Sequence, residues 1–310
     1  MRLIFLGTPD FAVPTLDRIV AAGHPVLLVV TQPDRPKGRK QELIPSPVKA
    51  AALRHSIPVF QPERIRNAEA LARLAELRPD AKIVVGYGQI IPQNVIDLAP
   101  LGVINVHASL LPELRGAAPI QWSIARGYKT TGVTTMRIDA GLDTGDILLQ
   151  WETPIQPDET ALELSARMAE AGADLLIETL AEMVGGSIRP RAQDNDRATW
   201  APIIRKEDGR IDWSRPAQQI HDLIRGFQPW PGAHTEFRGQ SIHLWRSRVS
   251  AQTVTGAEPG KLIHKEGVWA VAGDGALLQL LEVQLEGRKR MAAEVFANGH
   301  RLTLNDRLGA

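Results

Sequence analysis

A chain of 310 residues, 44% apolar and 23% charged, has enough material for two ordinary hydrophobic cores and needs no covalent staple. The absence of cysteine excludes a thiol nucleophile, a cysteine–zinc centre and any disulfide framework, and a net charge of +1 excludes a whole-molecule field as the means of holding nucleic acid. No apolar run reaches the ~20 residues of a membrane span, and Arg2 leads straight into Leu3-Ile4-Phe5-Leu6 rather than into a signal or transit pattern, so the expectation is a cytoplasmic protein of bacterial type with no membrane partner.

In chain order, residues 3–6, 26–30, 83–85 and 103–106 are apolar without alternation. Strands buried on both faces of a parallel sheet read this way. Between the first two runs, Val13, Leu16, Ile19 and Val20 recur at helical spacing. Strand, helix and strand within about 30 residues form a βαβ unit. The predicted fold of this half is therefore α/β: a Rossmann-like, doubly wound, mostly parallel sheet. Residues 160–184 predict a long helix, with Thr160 and Glu163 as a capping box and Leu164, Met168, Leu175 and Met183 near one face. Gly185-Gly186 supplies the stop. Residues 188–205 show no period and contain Pro190 and Pro202, which predicts a linker. Beyond it, β-prone segments at 241–245, 261–264, 268–272 and 277–283 are spaced by glycine turns, the pattern of a small β-barrel (OB-like) or sandwich. The expected domains are 1–187 and 206–310, joined by 188–205.

Ligands of open α/β sheets bind beyond the carboxyl ends of the strands, so the residues after each run carry the search for chemistry. Gly86-Tyr87-Gly88 lacks the third glycine of a dinucleotide fingerprint, and no phosphate loop is present, which disfavours a nicotinamide dehydrogenase. Asn105 and His107, two apart in a strand, face the same way. Residues 139–146 form a turn-rich loop with three carboxylates, Asp139, Asp143 and Asp146. The bland readings are a hydrogen-bonded histidine, an asparagine at a strand end, and a plain turn or weak calcium loop, although the EF-hand spacing fails. The other seven histidines have no metal-ligand spacing, and no metal is expected.

Asn105-Val106-His107-Ala108-Ser109-Leu110-Leu111-Pro112, followed by Arg115-Gly116-Ala117-Ala118-Pro119-Ile120 and by Gly141-Leu142-Asp143-Thr144-Gly145, resembles the folate-dependent formyltransferases. The resemblance extends through Gly7-Thr8-Pro9-Asp10-Phe11, Ile211-Asp212-Trp213 and Pro229-Trp230-Pro231. It implies direct transfer of a formyl group from 10-formyltetrahydrofolate, a co-substrate, by a catalytic trio of Asn105, His107 and Asp143. In that role Asn105 and His107 donate to the developing oxyanion, and Asp143 orients His107 and helps carry the proton from the attacking amine to the leaving nitrogen. It also implies a folate pocket lined by Ser109, Leu110, Leu111 and Pro112 and by Gly86, Tyr87 and Gly88.

The acceptor is argued from residues 31–49, a long polar insertion with four prolines and with Arg35, Lys37, Arg39 and Lys40 close together. Its wording resembles the tRNA-specific members of the family, with a departure at Gln41 and Glu42, and implies the α-amine of methionine on charged initiator tRNA as the acceptor. Arg246, Arg248 and the run Arg288-Lys289-Arg290 in the second domain suit phosphate contact. A monomer is expected. An aminosugar-nucleotide formyltransferase and a catalytically silent tRNA-binding protein are the alternatives.

Overall fold

Burial on both faces is what makes the first strands apolar throughout. Every residue of β1 (Leu3–Gly7) is buried, as is every residue of β6 (Ala81–Val85) and β7 (Val103–His107) in the computed structural model, which describes residues 1–37 and 42–309. These strands belong to a packing unit made of Met1–Gly116, Thr131–Thr153 and Ser165–Trp200. In chain order it holds β1, α1 (Val13–Ala21), β2 (Val26–Val30), the short β3 (Arg35–Lys37) and β4 (Glu42–Ile44), α2 (Pro47–Arg54), β5 (Val59–Phe60), α3 (Ala68–Glu76), β6, α4 (Gln93–Ile96), β7 and the two-residue β8 (Arg115–Gly116). After α5 (Pro119–Ala125) come β9 (Thr130–Arg137) and β10 (Ile147–Pro154), which complete a seven-stranded sheet in the order β10-β9-β7-β6-β1-β2-β5. The pairs from β7 to β5 are parallel and β9 runs antiparallel to β7, so the sheet is mostly parallel, as the apolar runs predict. The chain leaves β1 for β2 on one side and later returns to β6 on the other, which puts the topological switch point between β1 and β6.

The helix α6 (Ala161–Gly185) begins at the predicted capping box. Thr160 N–H donates to Glu163 Oε2 at 2.8 Å, and Glu163 N–H donates back to Thr160 Oγ1 at 3.3 Å. The bonds from Thr160 hold the Glu163 carboxyl below its usual range. Farther along α6, a Cβ on Gly172 would sit 3.0 Å from Val106 and 3.2 Å from Val133, so this glycine brings the helix close to β7 and β9. Within insertion 31–49, read from sequence as a long polar loop, β3 and β4 pair antiparallel, and Pro47–Lys49 form the first turn of α2. Lys49 pairs with Asp34 at its base and holds that carboxyl below its usual range.

The second unit gathers Ala117–Thr130, Pro154–Leu164 and the chain from Ala201 onward, so the units interleave in sequence. After the short β11 (Trp200–Ala201), at the boundary between the units, its last segment holds α7 (Ala217–Gly226), β12 (Ala233–Phe237), β13 (Gln240–Thr253), β14 (Leu262–His264), β15 (Val268–Val271), β16 (Ala276–Leu285), β17 (Met291–Ala292) and α8 (Ala293–His300). The sheet is antiparallel, ordered β12-β13-β16-β15-β14 with β17 on β16. Its ladders do not close into the expected barrel among the described residues. Single bridges from the last residues meet both edges instead, Leu308 to Phe237 of β12 and Arg307 to Lys261 before β14. A tight turn precedes those bridging residues: Asp306 accepts from Thr303 N–H at 2.7 Å and from Arg238 Nε and Nη2 at 2.7 and 2.8 Å. Arg238 is the main reason that Asp306 titrates at about 2.

Lys82 on β6 is 0% exposed, with Nζ 3.4 Å from the Ile96 carbonyl. Burial lowers its pKa from 10.5 to about 8, opposed by the charge of Asp97. The folded value lies below the unfolded one, so the cost of the charged form is full below about pH 8 and disappears as pH rises through 10.5. Lys82→Met should therefore raise the melting temperature at pH 7, and the gain should shrink steadily in melts taken from pH 8 to pH 10. A gain independent of pH would mean that packing, not charge, sets it.

Candidate active site

Asn105 and His107 lie at the carboxyl end of β7, opposite Met136 and Thr134 of β9. Their exposures are 9% and 6%. His107 Nε2 is 3.1 Å from the Leu114 carbonyl, which only accepts, so Nε2 carries a proton. Nδ1 then faces Asp143, with Oδ2 at 3.7 Å. That separation is too long for a direct hydrogen bond and short enough for an ion pair once the ring is protonated. No hydrogen bond joins the Asn105 side-chain amide to another described residue, and Asn105 is not among the side chains whose polar atoms are buried without a partner.

Asp143 adopts a left-handed conformation at φ 53°. Its Oδ2 accepts from Gly116 N–H at 2.8 Å. The other two carboxylates of the loop do different work. Asp139 Oδ1 accepts from Gly141 N–H at 3.0 Å and Thr144 Oγ1 at 2.6 Å, an Asx turn that shapes the loop. Asp146 contributes its carbonyl to Arg137 N–H at 2.9 Å. The structure thus brings Asn105, His107 and Asp143 to one rim and turns a single carboxylate of the three towards the imidazole.

The expected folate-lining segment is committed largely to its own turn. Ser109 Oγ donates to the Glu113 carbonyl at 2.6 Å, and Leu111 packs with Met136 and Ile147. Leu110 and Pro112 remain half-buried. Gly86 and Gly88 have positive φ, and the Tyr87 carbonyl accepts from Thr8 Oγ1 and Gln32 Nε2, each at 3.1 Å, tying together the ends of β1, β2 and β6. The Tyr87 ring belongs to the core, and its hydroxyl, buried without a partner among the described residues, is pushed up to about 12.

The basic residues divide by their neighbours. Arg35 is exposed on β3, and Lys37 ends that strand; Arg39 and Lys40 lie outside the described residues. In the second unit Arg246 faces Glu163 at 3.6 Å and Arg248 faces Asp158 at 3.9 Å. Arg290 lies over the Trp245 ring at 4.1 Å and 3.7 Å from Glu282. Arg288 and Lys289 are exposed and form no ion pair among the described residues.

Sequence reading missed the partners that hold this group: the Leu114 carbonyl, the Gly116 amide, and the side chains of Arg115 and Gln193. Arg115 was visible as part of a motif, but nothing local marks Gln193, because its contacts reach back about 50 and 78 residues.

Residues 1–180 match the family model described as formyl transferase, and residues 203–301 match formyl transferase, C-terminal domain. Among known proteins, the methionyl-tRNA formyltransferase of Solibacter usitatus is 60% identical over 100% of this chain and 99% of its own length. That of Bacillus subtilis is 45% identical over 99% of this chain and 98% of its own. The N-formyltransferase from Helicobacter canadensis, solved in complex with folinic acid and dTDP-3-aminofucose, shares the fold, with a TM-score of 0.69 at 19% identity over 90% of this chain and 98% of that one. The chain belongs to the formyl transferase family, and within it to the methionyl-tRNA formyltransferases.

The site also explains Gly145. A Cβ there would lie 2.0 Å from the Arg137 carbonyl at the end of β9, a clash with backbone that cannot swing away. Gly145→Ala should displace the loop carrying Asp143 and lower kcat for formyl transfer by at least about 10-fold, since an ångström of misplacement is enough for losses of that order. Steady-state kinetics check this, and a variant with unchanged kcat would show that the loop position is not critical.

Proposed function

We propose that this enzyme transfers the formyl group of 10-formyltetrahydrofolate to the α-amine of methionine on initiator tRNA, with Asn105, His107 and Asp143 as the catalytic residues. The observation that carries the site assignment is the unpartnered Asn105 amide two residues from the His107–Asp143 pair. An accessible amide at the strand end that bonds no described residue is free to donate to an oxygen that arrives with substrate. The acceptor follows from the named relatives, which align over essentially the whole chain. The donor is supported by the family and by a fold neighbour that was solved with folinic acid.

As the amine nitrogen bonds to the formyl carbon, negative charge grows on the carbonyl oxygen and the carbon–nitrogen bond to the donor breaks. Asn105 donates to that oxygen, and a donor so placed is worth about 10²–10³ in rate. His107 takes the amine proton on Nδ1. The imidazolium is then held between the Leu114 carbonyl and the Asp143 carboxylate, and the proton passes to the leaving nitrogen. No oxidant and no covalent enzyme intermediate enters the balance. With Nε2 committed to Leu114, the geometry favours Asn105 as the oxyanion donor and His107 as the proton carrier.

In this reading residues 1–187 carry the chemistry and residues 206–310 grip tRNA. The folate contacts fall to the half-buried Leu110 and Pro112 and to backbone near Gly86 and Gly88, with Ser109, Leu111 and Tyr87 holding the pocket's shape. The insertion residues Arg35, Lys37, Arg39 and Lys40 act near the acceptor end. Arg246 and Arg248 must give up a carboxylate neighbour to hold phosphate, whereas Arg288 and Lys289 need not.

Incubation with 10-formyltetrahydrofolate and charged initiator tRNA should yield formylmethionyl-tRNA, and an aminosugar nucleotide in its place should yield nothing. Formylation of the sugar alone would overturn the acceptor assignment. His107→Ala and Asp143→Asn should each lower kcat by about 10²–10⁴ with tRNA affinity nearly intact, while Asp139→Asn and Asp146→Asn should cost far less. Equal losses at all three aspartates would mean that the loop is only a structural turn.

Replacing Arg288, Lys289 and Arg290 together with alanine should weaken binding of any tRNA about equally. It should also flatten the log–log salt dependence by roughly one unit for each phosphate no longer neutralised. Binding titrations across salt concentrations measure that slope, and an unchanged slope would mark the run as a solvated face.

A further inference from the structure

Gln193 uses its whole side-chain amide on the site. Its Nε2 donates to the carbonyls of Asp143 at 2.8 Å and Gly145 at 2.7 Å. Its Oε1 accepts from Arg115 Nε at 3.0 Å and Nη2 at 2.7 Å, and Nη2 also donates to Asn195 Oδ1 at 2.9 Å. Arg115 is 3% exposed and has no carboxylate partner among the described residues, so a buried guanidinium is held by neutral amides alone. Such a cation is costly to bury, and mere packing does not explain it. The next residue, Gly116, donates its N–H to the Asp143 carboxylate, and the preceding residue, Leu114, receives His107. Asp143 is gripped at both ends: Gly116 holds the carboxylate and Gln193 holds the backbone.

Leu114 and Asp143 both have positive φ, 58° and 53°. Left-handed non-glycine residues persist where their surroundings over-determine them. For Asp143 the two carbonyl bonds from Gln193 supply that constraint, and Arg115 prevents the amide from flipping, because a flipped amide would aim its NH₂ at the guanidinium.

We propose that Gln193, anchored by the buried Arg115, is a positioning residue that sets the distance between Asp143 and His107 and so acts on the chemical step. The proposal rests on the catalytic role assigned to Asp143 above. It assigns work to Gln193 and Asn195, which lie in the stretch 188–205 whose sequence reads as a linker.

Two substitutions separate positioning from simple support. Gln193→Glu keeps an acceptor for Arg115 and removes both donors to the Asp143 loop; Gln193→Met removes both halves. If the clamp positions Asp143, Gln193→Glu should melt within a few degrees of wild type and still lose about 10–100-fold in kcat, with KM for tRNA and for 10-formyltetrahydrofolate within about twofold. Gln193→Met should lose at least as much. If Gln193 only neutralises Arg115 for the sake of the fold, Gln193→Glu should retain wild-type kcat, which would overturn the proposal even where Gln193→Met fails to fold.

The double variant with Asp143→Asn, followed by single-turnover formylation, tells the two levels apart. Acting through Asp143, Gln193→Glu should cost no more than about twofold in the Asp143→Asn background, whereas additive losses would place its effect elsewhere and refute the clamp. Near-normal kcat for Asp143→Asn alone would remove the catalytic assignment and the clamp with it. A crippled Asp143→Asn beside a fully active Gln193→Glu would remove the clamp alone.

Discussion

Three consecutive residues, Leu114, Arg115 and Gly116, hold the two titratable members of the site at once. The Leu114 carbonyl fixes the His107 tautomer, the Arg115 side chain anchors Gln193 beneath the Asp143 loop, and the Gly116 amide takes the Asp143 carboxylate. Their own placement is fixed by residues 193–199: Thr199 Oγ1 accepts from Leu114 N–H and the Thr199 carbonyl from Arg115 N–H. An imidazole and a carboxylate 3.7 Å apart have little tolerance for drift, and this short segment is what removes it.

The scaffold beneath explains why the group can be rigid. β7 is buried throughout and paired on both edges, parallel to β6 and antiparallel to β9. That reversal of direction matters. β9 runs from opposite His107 to opposite Ile104, so the loop after Arg137 leaves beside the amino end of β7 and turns back to set Asp143 next to His107. Gly172 on α6 and Gly145 in the loop permit backbone approaches that any Cβ would obstruct. The rim lies beside the switch point between β1 and β6, where ligands of open α/β sheets bind.

The basic residues give a contrasting picture. Several cations that composition alone counts as free are partly engaged: Arg246 and Arg248 face carboxylates, and Arg290 lies on an indole beside Glu282. Exposed pairs of this kind contribute little to stability and exchange readily, so they temper electrostatic attraction rather than cancel it. A modest net charge and a partly paired basic surface together suit binding that is steered locally.

The sequence by itself determined the features that depend on neighbours along the chain. Uninterrupted apolar runs specified buried parallel strands, Thr160 and Glu163 specified where α6 starts, and the two-residue spacing of Asn105 and His107 put both on one side of one strand. Each follows from local periodicity or capping, which a few adjacent residues encode. Only the tertiary structure decided which of Asp139, Asp143 and Asp146 turns to His107, that Gln193 and Arg115 secure it, that β3 and β4 pair within the 31–49 insertion, and that, among the described residues, single bridges rather than a closed ladder join the edges of the second sheet. Those outcomes rest on hydrogen bonds between residues tens of positions apart and on backbone conformations such as φ 53° at Asp143. No period or spacing records them, because they exist only once strands from distant parts of the chain have paired.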